Sequence, residues 1–179
     1  MRSLSMGIFV IVGLALAGPA SAQERPVKAD RWQAWRALVG VWEGTSEGKP
    51  GRGKIRLEVC FVLSERYLKV AGKADYANTK GGEHHEDFGY VSYDSGRKTH
   101  VFRQFHIEGF VNQYTLTRGG KPGEPIELTS ESCENTPPGW RARERYTLKG
   151  DSLEHTFELA APNKPFELYA RATLVRAPK

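Results

Sequence analysis

The chain predicts an antiparallel, up-and-down β-barrel of about ten strands, with one short helix covering an end. Three observations carry that fold class. Apolar residues alternate in short segments from Gly40 to Arg176, turn residues break the segments at regular intervals, and no helical period returns after residue 39. Alternation places successive side chains on opposite faces of a sheet, so each segment buries one face.

The N-terminus carries a different pattern. Arg2 gives a positive start, Gly7 to Gly18 is apolar, and Ala20-Ser21-Ala22 is a small-residue cleavage signal. The apolar run is too short to span a bilayer, and no second run follows, so no integral membrane anchor is expected. Residues 1–22 read as a cleaved signal peptide, which places the mature chain in the periplasm. Residues 23–39 form a lead-in and a short helix. Asp30 serves as the cap, and Trp32, Trp35, Leu38 and Val39 recur at helical spacing until Gly40 stops the turn.

Residues 40–179 form the barrel domain. Strands are expected near 40–47, 53–63, 66–77, 84–94, 97–107, 110–118, 125–133, 139–149, 152–160 and 166–176. Between them stand Lys49-Pro50-Gly51, Lys80-Gly81-Gly82, Ser95-Gly96, Glu108-Gly109, Gly119-Gly120, Gly150-Asp151 and Pro162-Asn163. Each supplies the backbone freedom or preset angle that a turn needs.

Charge and cysteine content narrow the function. The chain has 26 Lys and Arg against 21 Asp and Glu, spread evenly. Arg141, Arg143 and Arg145 alternate with Ala142, Glu144 and Tyr146, as on the solvated face of a strand. A nucleic-acid surface needs a longer basic stripe with stacking aromatics, so no nucleic acid is expected. Cys60 and Cys133 fit no zinc or redox spacing, and an exported protein leaves a disulfide between them open.

Two tight turns set an expected register. Read as two-residue loops, Ser95-Gly96 pairs Phe88 with Arg103, and Glu108-Gly109 pairs Arg103 with Tyr114. Phe88, Tyr90, Val101, Phe105, Ile107, Phe110, Tyr114 and Leu116 then share one surface, taken as the lumen. Arg103 would sit among them, near Glu86 and Asn112. A guanidinium cannot shed its charge, so a buried one needs an internal carboxylate (Glu86 or Glu144) or an anionic ligand head group. The Gly150-Asp151 turn sets Tyr146 opposite His155, with Glu144 and Phe157 on the same face. That cluster reads as a satisfied core pair or as an acid–base group.

The opposite face of the two hairpins carries His85, Asp87, His100, Gln104, His106 and Gln113. Two imidazoles and a carboxylate are a donor set for Zn²⁺ or Cu²⁺. His84 points away from them, and this face is expected in solvent, so no metal site is expected.

The Gly40-Val41-Trp42 strand, the helical turn before it, and Arg176 (or Arg171) on the last strand together resemble the calycin superfamily of lipocalins and their relatives. In that group a basic side chain packs across the Trp, so Trp42 and Arg176 are expected to be structural. The run Phe88-Gly89-Tyr90-Val91-Ser92-Tyr93-Asp94 is similar to an uncharacterised bacterial lipocalin-like domain family. The strand count is similar to the nitrobindin-like haem barrels, which ligate haem through a His on a late strand. Here that strand offers Tyr169, and His155 lies one strand earlier.

The sequence therefore reads as an exported, non-catalytic barrel for a small hydrophobic or amphipathic molecule, anionic and fatty-acid-like, with no cofactor. Arg103, helped by Tyr114 and Asn112 and with Glu86 beside it in the site, would hold the head group. Phe88, Tyr90, Phe105, Phe110, Tyr146, His155 and Phe157 would line the rest. The alternatives are a haem or gas-binding barrel, and a cofactor-free lyase, isomerase or hydrolase using His155, Tyr146 and Glu144. Oligomeric state is not legible.

Overall fold

The computed structural model describes residues 30–77, 82–121 and 123–178. The cleavage signal and most of the lead-in lie outside them. Helix α1 (Gln33–Arg36) precedes strands β1 (Gly40–Gly48), β2 (Gly53–Val62), β3 (Tyr67–Tyr76), β4 (Glu83–Asp94) and β5 (Thr99–His106). Strands β6 (Val111–Arg118), β7 (Ile126–Glu134), β8 (Arg141–Lys149), β9 (Ser152–Ala160) and β10 (Glu167–Arg176) complete the chain. Each strand pairs antiparallel with its sequence neighbours, and β1 pairs with β10, so the sheet is a closed barrel. Closure leaves no strand edge unpaired.

One end of the barrel is plugged. Trp35 and Leu38 are buried there against Trp42, Leu57, Val59, Leu68, Phe102, Leu128, Leu153 and Leu174. Asp30 accepts a hydrogen bond from the Trp32 backbone N–H at 3.0 Å, which starts the helical turn. Trp42, 1 % exposed, donates its indole N–H to the Leu38 carbonyl at 2.8 Å. The Arg176 guanidinium lies 4.3 Å from the Trp42 ring and donates to the carbonyls of Val39 and Ala37. Of the two arginines expected, Arg176 makes the contact. Gly40 is required beneath it: its φ is +136°, and a Cβ there would stand 2.6 Å from Arg176 Nη1.

The other end is an open mouth framed by the turns at 49–52, 107–110, 135–140 and 161–166. Asn135 Nδ2 donates to the Gly109 carbonyl at 2.8 Å and ties two of these turns together. On the outer wall Arg143 pairs with Glu158, and Arg145 with Glu127, as the alternation around Arg141 predicts. Cys60 and Cys133 are free thiols on strands that are not neighbours.

The register of the β4–β6 region differs from the expectation, and both turns explain why. Asp94 pairs with Thr99, so the first loop has four residues, and the Asp94 side chain accepts from the backbone of Gly96 and Arg97. This slides β5 by two residues, which preserves faces and places Phe88 opposite Phe105. The second loop has three residues, with His106 N bonded to Phe110 O and Gly109 at φ +87°. That extra residue shifts β6 by one, pairs Arg103 with Gln113, and turns β6 over relative to β5.

The consequence is a correction to the lumen assignment. Arg103, Glu86, Phe88, Tyr90 and Phe105 stand on the outer wall. Phe88, Tyr90 and Phe105 are 46 %, 42 % and 42 % exposed, and Phe88 stacks on Phe105 outside the barrel. Arg103 donates to the Ser92 hydroxyl at 3.4 Å, and Glu86 pairs with Lys73. The inward face of β4 and β5 is instead His85, Asp87, Val91, His100, Phe102, Gln104 and His106.

Candidate functional site in the barrel lumen

Between the plug and the mouth lies a cavity of about 390 Å³. Its middle layer is polar. One wall is built by β4, β5 and β6, which bring together His85, Asp87, Gln104, His106 and Asn112. The facing wall is built by β8 and β9, which contribute Glu144 and His155. Toward the mouth the lining becomes apolar and aromatic, with Phe110, Pro137, Trp140, Phe157, Leu159 and Tyr169.

On the first wall every polar group but two atoms has a partner. Nδ1 of His85 lies 2.6 Å from Glu108 Oε1, and its Nε2 lies 3.4 Å from Asp87 Oδ2. Gln104 Nε2 donates to Asp87 Oδ1 at 2.9 Å. Nε2 of His106 lies 3.3 Å from the Asn112 amide, which also bonds the Tyr114 hydroxyl at 2.9 Å. The His106 Nδ1 and Gln104 Oε1 atoms are buried without a partner. Gly72 makes room for the Asp87 carboxylate, since a Cβ there would stand 2.7 Å from Asp87 Oδ2.

The electrostatics follow from burial and pairing. Burial opposes a charge on His85, but the carboxylates of Asp87 and Glu108 outweigh it and raise its pKa to about 9. Burial also works against the Asp87 carboxylate, and His85 and Gln104 overcome it to hold the pKa below the usual value. His106 is pushed down by burial, so its neutral form is favoured. Tyr114, on the same layer, is raised well above its ordinary value by burial and stays a phenol.

On the second wall Tyr146 donates to Glu144 Oε2 at 2.5 Å, and its ring stacks on His155 with centroids 4.5 Å apart. Nε2 of His155 stands 3.4 Å from Glu144 Oε2 and makes no hydrogen bond. Glu144 is 1 % exposed, so its single bond to Tyr146 is the main compensation for its desolvation.

The expected site residues thus divide in two. Tyr114, Asn112, Phe110, Tyr146, His155 and Phe157 are gathered at or beneath the cavity, whereas Arg103, Glu86, Phe88, Tyr90 and Phe105 are not. His85, Asp87, Gln104 and His106 line it although their strand face was expected in solvent. A trace of pairings from Trp42 assigns them: Trp42 faces Leu57, Leu57 faces Gly72, Gly72 faces Asp87 and Asp87 faces His106. Among the described residues no helix is long and apolar enough to cross a membrane.

No protein-family model matches the sequence, and no curated protein matches it either. Among solved structures, the crystal structure of Rv2717c from M. tuberculosis is similar, with a TM-score of 0.66 and 18 % identity. The match covers 84 % of this chain and 99 % of that one. The likeness shows the fold alone, a ten-stranded antiparallel barrel.

Proposed function

We propose that this chain is a binding protein whose lumen takes a small amphipathic molecule, polar end inward, without turning it over. A barrel of this kind can house a small molecule, and a cavity of about 390 Å³ falls within the usual range for ligand pockets. The observation that carries the reading is the layering, with hydrogen-bonding groups in mid-lumen and an aromatic rim above them. The ligand's apolar part would lie along Phe157, Leu159 and Trp140, and its polar end would meet Asn112, His106, Glu144 and His155.

The charge of the preferred ligand follows from the lining. Arg103 faces outward and cannot anchor an anion in the lumen. Among the described residues, the Lys and Arg side chains at the cavity are already engaged: Lys73 pairs with Glu86, and Arg141 donates to the Lys164 carbonyl. Asp87 and Glu144 meanwhile present carboxyl groups inside. A neutral or cationic head group fits this lining better than a carboxylate.

Haem, implied by the resemblance to nitrobindin-like barrels, fits the lining poorly. His155 Nε2 faces Glu144 Oε2, and burial raises the pKa of Tyr169, which works against the phenolate that would ligate iron. The acid–base reading of Glu144, Tyr146 and His155 lacks a nucleophile or a reaction-specific motif beside it.

Calorimetric titration of chelator-treated protein with decanol, decylammonium and decanoate tests the proposal. Decanol or decylammonium should bind at least about tenfold tighter than decanoate, a difference of ~1.4 kcal/mol. Phe157→Ala should weaken that binding, while Arg103→Leu should leave it unchanged. Absence of binding by all three, or a preference for decanoate that Arg103→Leu abolishes, would overturn the reading. A Soret band shifted by stoichiometric haem addition would favour the haem alternative instead.

A further inference from the structure

We infer that His85, Asp87 and His106 form a binding site for a zinc-class divalent cation, with its fourth coordination position open to the lumen. One donor atom of each residue lies within 4.8 Å of the donor atoms of the other two. The spacing is already that of a tetrahedral centre along one edge. Two ligands about 2.1 Å from a tetrahedral ion stand about 3.4 Å apart, and His85 Nε2 lies 3.4 Å from Asp87 Oδ2.

The surrounding groups are those a metal site uses to orient its ligands. A metal-bound imidazole presents one nitrogen to the ion and gives the other N–H to a carboxylate or carbonyl. His85 does this with Nδ1 toward Glu108 Oε1 at 2.6 Å, leaving Nε2 toward Asp87. Gln104 Nε2 holds the second oxygen of Asp87, leaving Oδ2 for the ion. His106 has Nε2 against the Asn112 amide, while its Nδ1 is buried and has no partner. His106 as a whole is 9 % exposed. Asn112 Nδ2 donates to the Tyr114 hydroxyl at 2.9 Å and lies 3.3 Å from His106 Nε2; with the amide turned end for end, its oxygen would accept from His106 Nε2–H and from the Tyr114 hydroxyl instead. His106 Nδ1 then carries a free lone pair and, with Gln104 Oε1, is one of the two buried atoms of the cluster without a partner; a cation satisfies it.

Donor chemistry selects the metal. Two imidazoles and one carboxylate suit zinc, and three protein ligands with an open position is the catalytic or ligand-binding form of such a site rather than the closed structural one. The site does not depend on any particular organic ligand. With a cation in place, the same lumen would present a positive centre and accept a donor atom from an incoming molecule.

Zinc titration of the full mature chain, followed by calorimetry, should show one site per chain, and cobalt in its place should give the visible absorption of a four-coordinate ion. His106→Ala and Asp87→Asn should each weaken zinc binding at least a hundredfold. Glu108→Gln, at the exposed edge of the cluster, should weaken it about tenfold or more, the usual cost of losing an orienting partner. His84→Ala should change nothing, since that imidazole points to the outer wall and pairs with Asp75. Failure of folded wild-type protein to take up zinc at one equivalent would overturn the inference. So would zinc affinity that survives in both His106→Ala and Asp87→Asn, or that falls in His84→Ala. The readout is the metal itself, so it stands or fails separately from alkyl-chain binding.

Discussion

Trp42→Ala should lower the stability of the barrel by about 4 kcal/mol, the upper part of the range for removing a buried aromatic. Three contacts disappear together. The ring leaves a void among Trp35, Leu57 and Leu174, the indole N–H no longer meets the Leu38 carbonyl, and the Arg176 guanidinium loses the face it covers. These contacts join the first strand, the last strand and the helical plug, so the loss falls on barrel closure rather than on one hairpin. Urea unfolding followed by tryptophan-independent circular dichroism measures it. A loss below ~1.5 kcal/mol would mean the plug packs independently of the barrel. Arg176→Ala alone should cost less, and a double-mutant cycle should show coupling of about 1 kcal/mol from the cation–π contact.

The second large effect is on acid stability and belongs to His100. This imidazole is 5 % exposed, packed between the rings of Trp32, Trp35 and Tyr93, and its Nε2 has no hydrogen-bond partner. Burial, assisted by the nearby Arg31 charge, pushes its pKa down to about 4 from 6.5. A histidine that must stay neutral to remain folded takes up its proton more readily when unfolded. The stability it contributes is whole above pH 6.5 and is lost as pH falls toward 4. The loss over that window is about 2 to 3 kcal/mol. His100→Phe keeps an aromatic ring in the plug and removes the titration. The stability difference between pH 7 and pH 4 should therefore shrink by that amount in the variant. Equal pH dependence in the two proteins would show that His100 is protonated without loss of the plug.

Fold class and strand positions were legible because alternation and turn chemistry are local. The ten strands fall within a few residues of the positions expected, and Trp42 with Arg176 does what the calycin resemblance implies. Which face of β4 and β5 looks inward was not legible from hydrophobicity, since both faces are mixed. The outer wall carries Phe88, Tyr90 and Phe105, while the lumen carries His85, Asp87, Gln104 and His106. A lumen that keeps a cavity has no need of a wholly apolar lining, so the more aromatic face was the wrong guide. The pairings leading from Trp42 to Asp87 and His106 settled the matter, and one residue in the Ile107-Glu108-Gly109 turn was enough to reverse β6 relative to β5. On β8 and β9 the Gly150-Asp151 hairpin holds Tyr146 opposite His155 as expected, so Glu144, Tyr146 and His155 were found together from sequence.

The tie between Asn135 and Gly109 has a kinetic consequence. A vessel stoppered at its base can exchange contents only through its neck, where whatever enters and the water it replaces must pass each other. Widening that neck between the two turns requires the Asn135–Gly109 bond to break, a local event that leaves the paired strands of the wall intact.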